Sequence, residues 1–595
     1  WRNIPWVVIP TLLFSLVQSK LILPAHLALL RRTDPNHKHG PLLGLQRKIA
    51  HGLENFIDVF YRPLLRVALK SRYVVLAMFF AAFAVVMGLV AGGRVKTQFF
   101  PEVEAEIISA KLSMADGVAF ETTSDAVARI EKAARDLNQR YSESPDRPLV
   151  KHMLASIGNQ PFQTGFQPLT PTGTHLGEVT LELLPGAERS ITAKELAAQW
   201  REITGPIPGA VEISFQSQAA GGGNAIDVDL IGEDFEQLRE ATEFVKGKLA
   251  EIEGVIDIND SDRFGKREAL LESLSPAGEA LGLRLGDVAS QMRQGFYGEE
   301  AQRLQRGRDE VKVMVRYPKE ERQSLESIEQ MKIRTRNGDE VPLSAVVELG
   351  EGRGSAIIQR TGRRRAIKVA ADIDKTIETA NANEAVRTLN ETALSKLPEE
   401  FPGVTFSFEG EQKDQRQSMR EMSVGFVFAL VGMFVLMAIP LRSYIQPMIV
   451  MSVIPFGVAG ALLGHIIMGM SLSIMSIMGM LALSGVVVND SLVLVDFVNR
   501  KRREGRPVHE AVYEAGLARL RPVLLTSLTT FAGLTPLLLE KSTQAQFLIP
   551  MAVSLGFGIL FATAITLLLI PMNYLILEDL RRLLRRPDSL VSGEA

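Results

Sequence analysis

Seven long apolar stretches constrain this chain more than any other feature. They fall at about 4–28, 73–91, 424–441, 447–469, 473–499, 521–539 and 546–577. A bilayer core asks for about 20 mostly apolar residues per helix, because a backbone in lipid must satisfy its own hydrogen bonds. The run Tyr73–Ala91 carries no charge at all. The pattern predicts an α-helical polytopic membrane domain of about seven spans. Between about 94 and 420 the sequence turns mixed, charged and typical of a water-soluble domain.

Charge orients the spans. Lys and Arg accumulate in cytoplasmic loops. The 29–72 connection holds Arg31, Arg32, Lys38, Arg47, Lys48 and further cations, and the 500–519 connection holds Arg500, Lys501, Arg502, Arg503 and Arg519. The tail at Arg581, Arg582, Arg585 and Arg586 is basic as well. Alternate loops share a side, and these three agree. The loops near 470 and 540–545 are poor in Lys and Arg. The block 94–420 is therefore expected outside the cytoplasm.

Composition excludes several classes. The 595 residues carry a net charge of −2, which gives no global basis for nucleic-acid binding. The absence of cysteine excludes disulfides and thiolate metal sites. The chain opens Trp1-Arg2-Asn3, and its first apolar run lacks a basic leader and a small-residue cleavage site. That run reads as a span rather than a signal peptide, and the chain is expected to continue upstream. Pro455 and Pro536 sit inside expected spans, where membranes tolerate a kink.

The extramembrane block alternates strands and helices. Glu106–Met114 reads as a strand, Ala119–Leu137 as an amphipathic helix, Leu149–Ile157 and Gly177–Leu184 as strands, Ala193–Ile203 as a helix and Val211–Phe215 as a strand. That order is a split β-α-β-β-α-β unit. Gly221-Gly222-Gly223 then reads as a flexible junction. A second unit begins at Ile226-Asp227-Val228-Asp229-Leu230, is interrupted at about 265–350 and resumes at 355–410. The interruption carries its own strands, Val311–Tyr317 and Met331–Arg336, and a helix at Leu285–Gly295. No Ser/His/Asp set, zinc spacing or phosphate loop appears. His152 and His175 are isolated, and Arg360–Arg365 reads as a basic turn and strand edge.

Five stretches carry a family likeness, and they occur in the family's order. SLVQSKLILPAHL at 15–27, FFPEVE at 99–104, QRLQRGRDEVKVMVRYP at 302–318, GVVVNDSLVLVDF at 485–497 and RLRPVLLTSLTTFAG at 519–533 resemble segments of resistance–nodulation–division (RND) efflux transporters of the acriflavine-resistance type. The likeness covers the whole chain and corresponds to the family's C-terminal half. It implies family span six at 1–30, a cytoplasmic connection at 31–72, span seven at 73–91 and a periplasmic porter subdomain at 92–220. A second porter subdomain would comprise 221–264 and 351–420, with a docking subdomain at 265–350. Spans eight to twelve would occupy 421–580, and 581–595 would be a cytoplasmic tail. The resemblance further implies a homotrimer in the bacterial inner membrane. It would join a periplasmic adaptor (membrane-fusion) protein and an outer-membrane channel protein, and exchange protons for hydrophobic or amphipathic compounds. No enzymatic step and no cofactor is implied.

An ionisable group within a span costs roughly 2.5–3.5 kcal/mol by insertion scales and marks a functional site by default. Asp490 lies well within its span. Burial raises a carboxyl's pKa and a nearby cation lowers it, and a group between those pressures can couple a proton to helix movement. The competing reading is a permanently paired structural carboxylate. Asp496 lies nearer the cytoplasmic end, close to Arg500, and reads as structural. By the resemblance, Thr526 matches a threonine beside the family's proton relay, and Arg519 a basic residue at its cytoplasmic mouth. A helix-packing hydroxyl and a membrane anchor are equally good readings of these two. The common multidrug pumps of the family carry lysine then asparagine where this chain has Asn489-Asp490. Neighbours on a helix point about 100° apart, so Asp490 need not occupy the lysine's place. The relay expected here is Asp490, Asn489, Thr526 and Arg519.

Asn159–Gly177 is rich in Gln, Pro, Thr and Gly. By position it resembles the family's loop beside the substrate pocket, with Phe162 and Phe166 as candidate contacts; loop packing is the alternative. Export of metal ions by the same superfamily is a second functional reading. Of the 20 methionines, Met468, Met470, Met475, Met478 and Met480 cluster at one helix pair, where packing explains them. A periplasmic ligand sensor is a third, weakened by the 18 residues that follow 577.

Overall fold

The computed structural model describes residues 3–29, 41–101, 103–142, 144, 147–162, 172–217, 224–322, 324–355, 357–374, 377 and 380–584. Among these, six helices are long and apolar enough to cross a membrane: Trp6–Ala28, Arg72–Ala91, Gly410–Leu441, Gln446–Met468, Ile474–Arg503 and Ile549–Leu583. The stretch 521–538 is also helical, within Val508–Leu538. It is less apolar because Arg521 and the hydroxyls of Thr526, Ser527, Thr529, Thr530 and Thr535 interrupt it. The Gly410–Leu441 helix begins well before the apolar run at 424. At 1.5 Å per residue, its 32 residues span about 48 Å, more than the roughly 30 Å of a bilayer core.

Pro455 lies inside the candidate span Gln446–Met468, and both it and Pro536 sit at helix ends. Pro455 occupies the first turn of the Ile454–Met468 helix, where its missing N–H costs nothing. Pro536 falls in the last turn of Val508–Leu538. Pro10, Pro440 and Pro571 also lie inside helices.

The chain divides into two compact units. The first comprises Trp1–Met78, Leu494–Leu525 and Leu567–Ala595. Tyr61 is buried and donates its hydroxyl to the Leu567 carbonyl at 2.9 Å. Arg72 donates from Nε to Asp579 at 2.7 Å. Tyr574, also buried, donates to Asn499 at 2.9 Å and accepts from Arg502 at 3.2 Å. These bonds satisfy phenol hydroxyls that would otherwise be stranded in an apolar setting.

The second unit comprises Phe79–Val493 and Thr526–Thr566. Its membrane part packs through small residues. A Cβ added at Gly460 would lie 2.4 Å from Phe561 Cβ, and one at Gly464 2.5 Å from Phe557 Cβ. Gly460 and Gly464 are four apart, as are the two phenylalanines, so one small-residue groove receives two aromatic knobs. Close helix approach through glycine is the usual packing device where lipid removes the hydrophobic drive.

The sheet-containing part holds three separate cores. Strands β1 (Ile107–Met114), β2 (Val150–Asn159), β3 (Thr172–Leu183) and β4 (Ala210–Gln216) form an antiparallel sheet in the order β2-β3-β1-β4. Helices Phe120–Tyr141 and Ala193–Thr204 cover one face. The first buries Val127, Ile130, Ala134 and Leu137, which recur at helical spacing. The second starts at a capping box, Thr192 with Glu195. The chain order strand–helix–strand–strand–helix–strand follows from these elements.

The second core begins with β5 (Ile226–Gly232), a helix Phe235–Ala250 capped by Asp234, and β6 (Val255–Asp260). Six strands intervene: β7 (Phe264–Leu274), β8 (Glu299–Arg306), β9 (Asp309–Val315), β10 (Lys332–Arg334), β11 (Glu340–Pro342) and β12 (Val347–Ser355). Among the described residues they pair only with one another, as β7 with β12, β8 with β9 and β10 with β11, around a small core that includes Val288, Ile333 and Leu343. Strands β13 (Gln359–Thr361), β14 (Arg364–Ile373) and β15 (Thr405–Phe408) then complete a sheet in the order β13-β14-β5-β15, with β6 on β14. The basic run 360–365 is the β13–β14 hairpin. Gly362 and Arg363 have φ of 58° and 70°, the signature of a two-residue type I′ turn. Gly221-Gly222-Gly223 lies outside the described residues.

Candidate functional site

Asp490 and Asn489 sit on the Ile474–Arg503 helix. Val487 and Val488 beside them are buried, Asp490 is half-buried and Asn489 is exposed. Asp490 makes no hydrogen bond or ion pair with another described residue. Its neighbour Ser491, by contrast, is satisfied within the helix, donating to the Val487 carbonyl at 3.0 Å. An ionisable group without a partner on an apolar membrane helix is costly and marks a functional site by default.

The other expected relay residues are divided. Thr526 belongs to the same compact unit as Asp490, whereas Arg519 belongs to the other. The Thr526 carbonyl accepts from Thr529 at 2.9 Å and Thr530 at 2.8 Å. Its neighbour Ser527 shares a buried hydrogen bond of 2.6 Å with Thr563. Arg519 places its guanidinium 4.9 Å from the Phe497 ring centroid, a cation–π contact, while its Nε has no partner.

The substrate-loop candidates lead to a site that sequence reasoning missed. Phe166 lies outside the described residues. Phe162 is half-buried, and its backbone N–H donates to Glu178 Oε1 at 2.9 Å. Thr180 donates to the same oxygen at 2.7 Å, and Glu178 Oε2 is buried with no partner. Glu178 pairs in register with Lys111 across β3 and β1. Ser109, Ser113 and Glu178 are all under 6% exposed, and they occupy the sheet face opposite Ile108, Ala110 and Leu112. The signal was present in β1, where Ser109, Lys111 and Ser113 alternate with apolar residues. That its polar face would also be buried was not legible there.

Burial pushes Glu178 above the usual carboxylate range, against the hydrogen bonds from Thr180 and Phe162 and the charge of Lys111. Burial pushes Lys111 down, against Glu178 and Glu212. A raised folded pKa adds stability that is complete below the unfolded value and is lost as pH rises through the folded one. Stability of wild type should therefore improve relative to Glu178→Gln as pH falls from 7 towards 5. Paired melting curves across that range measure it; a constant difference would contradict the assignment.

Among the described residues, no three His, Asp or Glu side chains converge to hold a metal ion. His175 lies 3.6 Å from Asp116, and His152 is exposed.

Comparison with known proteins places the chain in the class of RND permeases, multi-pass membrane transport proteins. The model of the AcrB/AcrD/AcrF family matches residues 1–578, and the chain belongs to that family. It is 25% identical over 529 residues to the cobalt-zinc-cadmium resistance protein CzcA of Cupriavidus metallidurans, covering 86% of this chain and 48% of that one. It is 23% identical over 414 residues to the multidrug resistance protein MdtC of Proteus mirabilis, covering 68% and 40%. A crystal structure of a heavy metal efflux pump shares the fold with a TM-score of 0.70 at 21% identity, covering 87% of this chain and 51% of that one. The chain spans about half the length of the curated relatives it matches.

Proposed function

We propose that this chain is the C-terminal part of a proton-driven inner-membrane efflux permease. The observation that carries the reading is Asp490, an unpaired carboxyl on an apolar membrane helix of a protein in a transporter family. Proton binding and release there would bias helix position, with Asn489, Thr526 and Arg519 completing the path together with groups of the remaining half. The β1–β4 and β5-containing sheets serve as porter subdomains outside the cytoplasm, and β7–β12 form the docking subdomain. The helix 508–538 is read as a seventh span. The complete protein works as a homotrimer with a periplasmic adaptor and an outer-membrane channel.

The cargo favoured is hydrophobic or amphipathic, entering beside Phe162 and Phe166. Such sites are mainly apolar with a few convergent polar groups, and the Glu178–Lys111 face next to Phe162 supplies the latter. Export of metal cations is a second reading, supported by the likeness to CzcA. The complete gene, expressed in a host lacking its own pumps, separates the two. Protonophore-sensitive exclusion of a fluorescent amphiphilic dye is expected. Raised tolerance to zinc, cobalt or cadmium without dye exclusion would replace it with the metal reading.

A further inference from the structure

One cavity of about 840 Å³ opens in the second unit where its membrane helices meet the sheet-containing part. Its wall includes residues just past the Arg72–Ala91 helix, the start of the Gly410–Leu441 helix, and the connections at 469–471 and 541–546. Five cationic side chains line it (Arg94, Lys96, Arg189, Lys194 and Lys541), against two carboxylates, Glu104 and Glu411. Glu104 is already engaged: it pairs with Arg189 at 2.7 Å and accepts from the Ala193 N–H at 2.6 Å. Arg189 is itself nearly inaccessible, its side chain 2% exposed, and its Nε has no partner. Arg94, Lys96 and Lys541 form no ion pair with a described residue.

These cations run against the charge rule for membrane proteins. On the proposed topology, on which this inference rests, Arg94, Lys96 and Lys541 face the outer side, where Lys and Arg are normally scarce. Lys541 is the one cation in the 540–545 loop. Unpaired positive charge kept at the outer headgroup level has a use if something anionic is bound there. The wall also carries apolar groups, with Phe99 and Phe100 edge-to-face at 4.5 Å between centroids, and Ile466 and Met470. The volume lies within the roughly 300–1,000 Å³ of organic-ligand sites and far exceeds a bare inorganic anion.

We propose that this cavity binds the phosphodiester head of an anionic phospholipid from the outer leaflet, the phosphate held by Arg94, Lys96 and Lys541 and the first apolar atoms resting on Phe99, Phe100 and Met470. Arg189 and Glu104 neutralise each other, so Arg94, Lys96 and Lys541 set the sign of the site. Gln98, Asn381 and Asn383 also line the cavity and offer hydrogen-bond donors to a glycerol head.

The test uses the complete transporter in neutral detergent, titrated with a short-chain fluorescent phosphatidylglycerol and with phosphatidylcholine of the same chains. At least tenfold tighter binding of phosphatidylglycerol is expected, falling at least tenfold in the variant Arg94→Gln/Lys96→Gln/Lys541→Gln. Should that variant lose its wild-type melting temperature, Lys541→Gln alone, an exposed loop position, is expected to weaken binding about threefold. Equal affinity for the two lipids, or unchanged binding in folded variants, overturns the proposal. So does full displacement by millimolar inorganic phosphate, which would make the ligand a free anion. The assay reads binding without turnover, so its failure leaves the export reading intact, and a pump that moves no cargo leaves this site testable.

Discussion

Replacing Asp490 by asparagine is expected to abolish protonophore-sensitive export by the complete transporter while leaving its amount in the membrane unchanged. Asparagine matches the carboxyl in size and removes its titration. One proton moved across 100 mV is worth about 2.3 kcal/mol, and about 1.4 kcal/mol corresponds to tenfold in concentration. A cycle that loses one coupled proton therefore sustains a cargo gradient about 50-fold smaller at that potential. Folding should not suffer, since no hydrogen bond or ion pair to a described residue is lost. Dye accumulation with and without protonophore, alongside immunoblots of membranes, measures both quantities. Asp490→Glu should retain part of the activity. Undiminished export by Asp490→Asn would move the proton site to other acids of the complete protein.

Trp200→Ala should destabilise the β1–β4 subdomain by about 3–5 kcal/mol, the usual cost of emptying a large aromatic site. Trp200 is 0% exposed. Its indole N–H donates to the Ile130 carbonyl at 3.1 Å, tying the Ala193–Thr204 helix to the Phe120–Tyr141 helix. Its ring meets Phe215 of β4 edge-on at 5.3 Å between centroids. The substitution thus opens a cavity at the junction of both helices and the sheet. Faster hydrogen exchange across β1, β3 and β4 should accompany a lower melting temperature, and Trp200→Phe should restore most of the packing. Exchange confined to the Ala193–Thr204 helix would show that Trp200 anchors one helix rather than the whole core.

Much of this fold was legible because its local signals agree with its global arrangement. The charge-free run 73–91 has no stable home other than lipid or a deep core. In β1, period-two alternation marks a strand, and in Phe120–Tyr141 the apolar spacing marks an amphipathic helix. Boundaries were less legible. The Gly410–Leu441 helix begins in the charged segment before the apolar run at 424, since helical hydrogen bonding continues past the hydrophobic signal. The hairpin β8–β9 was half legible: Val311, Val313 and Val315 alternate along β9, whereas neither face of its partner β8 is apolar.

The sequence by itself determined the positions of the apolar segments, the strand–helix order and the anomalous Asp490. Each of these is written in local composition or period. Only the tertiary structure decided that Asp490 meets no partner among the described residues, that Glu178 is buried on β3 beside Lys111, and that Arg94, Lys96 and Lys541 converge on one cavity. The last three cations lie up to 447 positions apart in a chain of 595, and no local pattern records which distant charges a fold brings together. Their meaning depends on solvent exclusion and distance, which arise only when sheets and helices pack.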